Sequence, residues 1–139
     1  MLTYEVGKSA AKIKFGKNRA DRERILKRAL LRAVSKGRDI IESHMDTGIG
    51  YKGGSFKPYS KEYKEYRREK GRGAKPDLQF TKQMRGAMQV RANEKKGEIY
   101  FSRKEEAQKA AKNNKTRPFF GFNKKELAEL EKVFKRNLK

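Results

Sequence analysis

The sequence predicts a single α+β domain over residues 1–139, with a small antiparallel sheet packed against a long helix in the N-terminal half and a C-terminal helix, and with shorter helices between them. Two amphipathic stretches, 21–44 and the part that follows Asn123, repeat apolar residues every three to four positions, which indicates helices. Short stretches that alternate apolar and polar residues indicate strands. A length of 139 residues without an internal repeat or a long linker fits one domain.

The N-terminal segment alternates in the manner of a half-buried strand. Residues 2–6 place Leu2, Tyr4 and Val6 on one side, and Ile13 and Phe15 resume the alternation after a short polar stretch. We therefore expect two short strands here that pair as a hairpin.

The clearest element is a helix from Asp21 to His44, which would be about 36 Å long. Asp21 and Glu23 fall near its positive end, where acidic side chains are favoured. Gly37 weakens the middle of this helix by about 1 kcal/mol relative to Ala, so we expect another backbone to approach it closely. The apolar stripe is formed by Leu26, Ala29, Leu30, Ala33, Gly37, Ile40, Ile41 and His44, and is widened by Ile25 and Val34.

A glycine-rich stretch separates this helix from the next. Four Gly occur in residues 45–56, and we expect a flexible loop over about 45–57. Ser60 is a good N-cap for a second helix over 61–70, which Gly71 ends.

The C-terminal half predicts a short helix after Thr81, a hairpin and two further helices. Residues 89–93 and 98–102 flank a turn that contains Gly97, which is a hairpin signal. An Ala-rich helix is expected over 104–113. Asn123 with Glu126 three residues later forms a capping-box pattern for the last helix. The buried stripe of that helix is expected to contain Leu127, Leu130, Val133, Phe134 and Leu138.

Composition excludes several kinds of chemistry. The absence of Cys excludes a disulfide scaffold, a Cys-ligated metal and a thiol nucleophile, and a single His excludes a multi-His metal centre. The glycine spacing of residues 48–53 matches a nucleotide-binding pattern, but no apolar strand precedes it, so a loop is the better interpretation. His44 has no acid beside it at any local spacing and is read as a partly buried or interface histidine. We expect no catalytic residue, no cofactor and no metal.

The chain carries 38 Lys and Arg against 17 Asp and Glu, a net charge of +21. Such an excess indicates an anionic partner, which is nucleic acid, anionic lipid or an acidic neighbour in an assembly, or else the charge is dispersed over the solvated surface. No stretch approaches the roughly 20 apolar residues of a membrane span, and no signal peptide is evident, so no membrane partner is expected.

Tyr59, Tyr63 and Tyr66 share one face of the second helix and alternate with cations. Tyrosines in this setting stack on bases while the cations hold phosphates, or else form core or subunit contacts. The candidate contacts to phosphate or to an acidic partner are Lys61, Lys64, Arg67, Arg68, Lys70 and Arg72.

An aromatic patch, Phe119, Phe120 and Phe122, lies in irregular chain just before the last helix. At least one of these rings is expected in the core, and the density of aromatic residues favours a role for the others at an interface with a neighbouring protein.

The order of these motifs is similar to that of the tail-completion and virion-morphogenesis proteins of tailed bacteriophages. The stretch 54–60 (GSFKPYS) is followed by 78–84 (LQFTKQM), and 117–122 (RPFFGF) precedes the closing helix. The resemblance covers most of 21–139. The chain departs from the family pattern at Lys82, where Gly is common, and at 110–115, where the family often has His-x-x-Gly.

The resemblance implies a non-enzymatic structural protein of the virion neck, a tail-completion or tail-terminator protein or a head–tail connector component. It implies a homo-oligomeric ring, a hexamer or a similar ring, that is assembled in the cytoplasm of the bacterial host. This ring would contact other neck, tail or connector proteins and the DNA in the channel. The alternative is a small basic nucleic-acid-binding protein. The expected interface residues are Phe56, Tyr59, Tyr63, Tyr66, Leu78, Met84, Arg117, Pro118, Phe119, Phe120 and Phe122.

Overall fold

A computed structural model describes residues 1–7, 13–71 and 82–138 and confirms the predicted α+β fold. A three-stranded antiparallel sheet packs against a long helix, and a C-terminal helix and shorter helices complete the fold. In chain order the elements are β1 (Leu2–Glu5), α1 (Arg19–Thr47), α2 (Lys61–Glu69), α3 (Lys82–Gly86), β2 (Met88–Ala92), β3 (Lys96–Phe101), α4 (Lys104–Thr116) and α5 (Lys124–Arg136).

The sheet has the strand order β1-β3-β2, and the predicted hairpin is β2 with β3. The predicted N-terminal hairpin is wrong, because 13–15 is irregular and β1 pairs with β3, with Leu2 opposite Ile99. This long-range pairing makes a three-stranded sheet, which is more stable than an isolated two-stranded hairpin. It also packs Leu2 against one of the two apolar clusters and Tyr4 against both.

Helix α1 is longer than predicted because both of its ends carry good caps. The side chain of Asn18 accepts a hydrogen bond from the backbone N–H of Asp21 at 2.9 Å. At the other end Gly48 adopts the left-handed conformation, with φ 71°, and donates its N–H to the carbonyl of His44. The loop therefore starts at 48 rather than 45, and Met45 is buried within the helix.

Two glycines set the distance between α1 and its neighbours. A Cβ on Gly97 would lie 3.1 Å from the carbonyl oxygen of Leu30, so this glycine lets the sheet approach the backbone of α1. Gly37 was expected to face another backbone, but the atoms closest to a Cβ there belong to the side chains of Phe122, at 2.8 Å, and Ile99, at 3.0 Å. That expectation is corrected: Gly37 makes room for an aromatic ring.

Helix α5 packs along α1 in the opposite direction. Phe134 and Leu138 join Ile25 and Leu30 in one buried cluster near the start of α1. The predicted stripe of α5 is buried at Leu130, Phe134 and Leu138 and only partly buried at Val133, and it is wrong at Leu127, which is 44% exposed.

Two acidic groups of the sheet, Glu98 and Tyr4, have shifted pKa values. The side chain of Glu98 accepts hydrogen bonds from Arg91 and Lys96, and these lower its pKa. Burial, and to a smaller extent the negative charge of Glu131, together raise the pKa of Tyr4 to about 12.

Candidate interaction site

The glycine-rich loop and the Arg-Pro-Phe-Phe-Gly segment, far apart in sequence, lie against each other. We call residues 48–57 together with 117–123 the motif junction. The backbone N–H of Tyr51 donates to the carbonyl of Pro118 at 3.1 Å, and the amide side chain of Asn123 donates to the carbonyl of Tyr51 at 3.1 Å. The two motifs therefore form one surface region.

Glycines make this contact possible. A Cβ on Gly121 would lie 2.5 Å from the ring of Tyr51, and a Cβ on Gly50 would lie 2.7 Å from the carbonyl oxygen of Pro118. Because atoms at these distances overlap, only glycine fits at either position without a shift of the neighbouring chain.

Arg117 joins the start of α2 to the junction. Its Nε–H donates to the carbonyl of Lys57 at 3.0 Å, and its guanidinium lies 4.5 Å from the centre of the Tyr59 ring. The guanidinium of Arg67 lies 5.0 Å from the centre of that same ring, and Tyr63 packs edge-on against it. Tyr59 therefore contacts both guanidinium groups and the ring of Tyr63.

His44 lies beneath the junction and connects three elements. Its Nδ1 is 2.9 Å from the carbonyl oxygen of Phe119, and its Nε2 is 2.6 Å from Oε2 of Glu126. The other carboxylate oxygen of Glu126 accepts the backbone N–H of Asn123 and completes the predicted capping box of α5. The histidine thus links α1 to both the aromatic segment and the start of α5.

The two contacts of the His44 ring require two protons, counted over the ring and the carboxyl group of Glu126 together. A carbonyl oxygen only accepts, so Nδ1 carries a proton and donates it to Phe119. An ionised carboxylate also only accepts, so the short contact to Glu126 needs a second proton, held either on Nε2 or on the carboxyl group. Both ring nitrogens are used by the fold, and neither is offered to a substrate.

Three predicted interface residues belong to the core. Phe56, Met84 and Phe119 are 5%, 3% and 0% exposed and pack in the same apolar cluster. Their predicted interface role is corrected, because a side chain without accessible surface makes no direct contact with a partner. The expectation of a core ring in the aromatic patch is confirmed by Phe119, while Phe120 and Phe122 are partly buried against the cluster.

The remaining predicted residues that the structure describes lie in the junction or next to it, at the start of α2 and along that helix. Tyr66 is 43% exposed on α2 and stacks on Tyr63, while Arg117 and Pro118 are partly exposed. Ile49, which the sequence did not single out, is 45% exposed on the loop.

The predicted phosphate contacts on α2 are weaker candidates than the sequence suggested. Arg67 is only 1% exposed and is corrected to a buried position. The accessible cations of this region alternate with Glu62, Glu65 and Glu69, so the positive field of the helix is small. These cations are Lys61, Lys64, Arg68 and Lys70. Leu78 and Arg72 lie outside the described residues.

Sequence reasoning missed the pairs that hold the junction. Glu126 was recognised as a cap but not as the partner of His44, which lies 82 positions away. Asn114 accepts the backbone N–H of Phe120 at 3.0 Å, and no local pattern indicates that contact. Within 1–7, 13–71 and 82–138, no group of three or more His, Cys, Asp or Glu side chains is placed to hold a metal ion.

Comparisons of the chain with protein-family models, with curated proteins and with solved structures find no match in any of the three. In the part of the chain that the structure describes, no helix is both long and apolar enough to span a membrane.

Proposed function

We propose that this chain is a structural subunit of the neck of a tailed bacteriophage, and that it acts by forming a ring with copies of itself at the head–tail junction. The observation that carries the proposal is the motif junction: segments that the family resemblance singled out, 60 and more positions apart, contact each other. A ring requires one surface of each subunit to bind a different surface of the next, in a contact that closes.

Exposed apolar groups at and beside the junction support a contact there. Ile49 and Tyr66 each expose more than two fifths of their surface, on the loop and on α2. Burying a whole apolar side chain contributes about 1.5–3 kcal/mol, so burying the exposed part of one of these side chains against a neighbouring copy contributes about 1 kcal/mol. The role is geometric and needs no catalytic group, which is consistent with a histidine whose two nitrogens are both used by the fold.

Sedimentation velocity and negative-stain microscopy test the ring. We expect the wild-type chain to form a discrete closed oligomer as its concentration rises. We expect Ile49→Ser to lower the association constant of that oligomer by at least tenfold. Leu31→Ser is the matched control, because Leu31 is 38% exposed and lies on α1, outside the junction. A chain that stays monomeric at high concentration contradicts the proposal, and so does equal weakening by the two variants. The neck assignment is tested separately, by mass spectrometry of purified tailed particles of the encoding phage.

A further inference from the structure

The charge of α1 is divided between its two halves. Residues 19–36 carry seven Lys and Arg against two acids, whereas 37–47 carry one Arg against three acids. A helix of this length spans about 43 Å, so the two halves present separate surfaces to a partner.

Helix α5 adds to the same division because it runs antiparallel to α1. The hydrogen bond from the Arg28 guanidinium to the carbonyl of Asn137 places the end of α5 beside the first half of α1. Residues 130–136 add three cations against one acid there, whereas 124–129 carry two of each. The positive charge is therefore concentrated at one end of the helix pair.

The outward side of this end is a row of exposed cations. Arg24, Lys27, Arg28 and Arg32 are all exposed, and we call these four residues the basic ridge. Three of them recur every four positions, so they lie along one side of the helix over about 12 Å. Arg24 pairs with Asp21. Within the described residues no ion pair is found for Lys27 or Arg32.

We propose that the basic ridge binds the phosphate backbone of duplex DNA. A linear row of like charges is complementary to a linear polyanion, and each Lys or Arg that neutralises a phosphate gains affinity from counterion release. Helix α2 lacks this complementarity, because residues 61–69 carry four cations against three acids. A membrane is a poorer partner, because the apolar face of α1 is buried in the core and Leu31 is the exposed large apolar residue of that helix. The choice of DNA among polyanions rests on the proposed neck function, whereas the position of the site does not.

Fluorescence anisotropy with a labelled random-sequence DNA duplex tests the ridge. Titrations over salt from about 50 to about 200 mM give the slope of the logarithm of affinity against the logarithm of salt, which is about 0.9 for each phosphate contact. The triple variant Lys27→Gln, Arg28→Gln, Arg32→Gln is expected to lower this slope by about 2.7 and the affinity by at least tenfold.

The matched control removes three charges from α2 through Lys61→Gln, Lys64→Gln and Arg68→Gln. We expect it to lower the slope by less than about 1. An equal decrease of the salt slope in the two triple variants overturns the proposal, and so does an unchanged slope in the ridge variant. Tighter binding of the wild-type chain to polyglutamate or to phosphatidylserine vesicles than to the duplex overturns the choice of DNA. Light scattering of the ridge variant separates the DNA-binding proposal from the ring proposal. Intact oligomers that no longer bind DNA support both proposals. DNA binding by a wild-type chain that stays strictly monomeric refutes the ring and leaves the basic ridge as the DNA site.

Discussion

The contact between His44 and Glu126 provides the sharpest test of how the junction is held. The two side chains are 8% and 16% exposed, and their atoms are 2.6 Å apart. Removing one partner of a buried pair leaves the other uncompensated, which costs about 3–5 kcal/mol. His44→Ala also leaves the carbonyl of Phe119 without its hydrogen bond. Since a domain of this kind has a total stability of about 5–15 kcal/mol, the variant is expected to fold with much of its stability lost.

Urea unfolding followed by far-ultraviolet circular dichroism measures this loss, because the chain lacks Trp. The double-mutant cycle of His44→Ala with Glu126→Gln should give a coupling energy of about 1–3 kcal/mol. Glu23→Gln is the control, because Glu23 pairs with Arg19 on the surface at 47% and 88% exposure and should change stability by less than about 0.5 kcal/mol. A cost below about 1 kcal/mol for His44→Ala, or a coupling energy no larger than the effect of the control, would refute the reasoning.

Three further predictions concern close packing and pH. Gly121→Ala should lower the free energy of unfolding by about 1–3 kcal/mol in urea, because its Cβ would overlap the Tyr51 ring; Gly54→Ala, where no described atom lies within 4 Å of the added Cβ, should cost clearly less. The contribution of the raised pKa of Tyr4 to stability is fully present below pH 10 and is lost as the pH rises towards about 12. Tyr4→Phe should therefore reduce unfolding at alkaline pH. Identical alkaline unfolding curves of the two proteins would contradict this. The lowered pKa of Glu98 adds stability above the unfolded pKa of 4.5, and this stability is lost as the pH falls below that value. Glu98→Gln should therefore flatten the acid side of the curve of unfolding free energy against pH. An unchanged acid side would argue against the lowered pKa of Glu98.

The elements that the sequence predicts well are those with local signals. The stripe of α1 and the capping box at Asn123 each lie within a few turns of one helix, and both are present in the structure. The predicted pairing of β1 was wrong because its true partner, β3, lies more than 90 positions away in the sequence. A strand of four residues also carries little information about which strand it will pair with. Alternation predicts a strand but does not predict its neighbour.

The sequence predicted which segments form the candidate site, but it did not predict which of their side chains are exposed. The stretches that contain Phe56 and Phe119 were expected at an interface, and they do meet, but both rings lie in the core. An aromatic residue in irregular chain fits a core anchor and an interface anchor equally well, because both bury the same apolar area. Helical periodicity would distinguish the two, and neither stretch is helical.

Three acidic side chains of this fold are withdrawn from its surface, so they offset the exposed positive charge less than surface acids would. Glu98, Glu106 and Glu126 have side chains only 10%, 4% and 16% exposed, and each is engaged by a basic side chain. The cations that pair with Glu98 and Glu106 remain 42–57% exposed, so the acids of these pairs are withdrawn from the surface more than their partners are. Like charges left on the outside repel one another and favour any state in which an anion approaches them. Because these three acids are engaged in contacts of the fold, an anion from another molecule that approaches the exposed cations would relieve part of this repulsion.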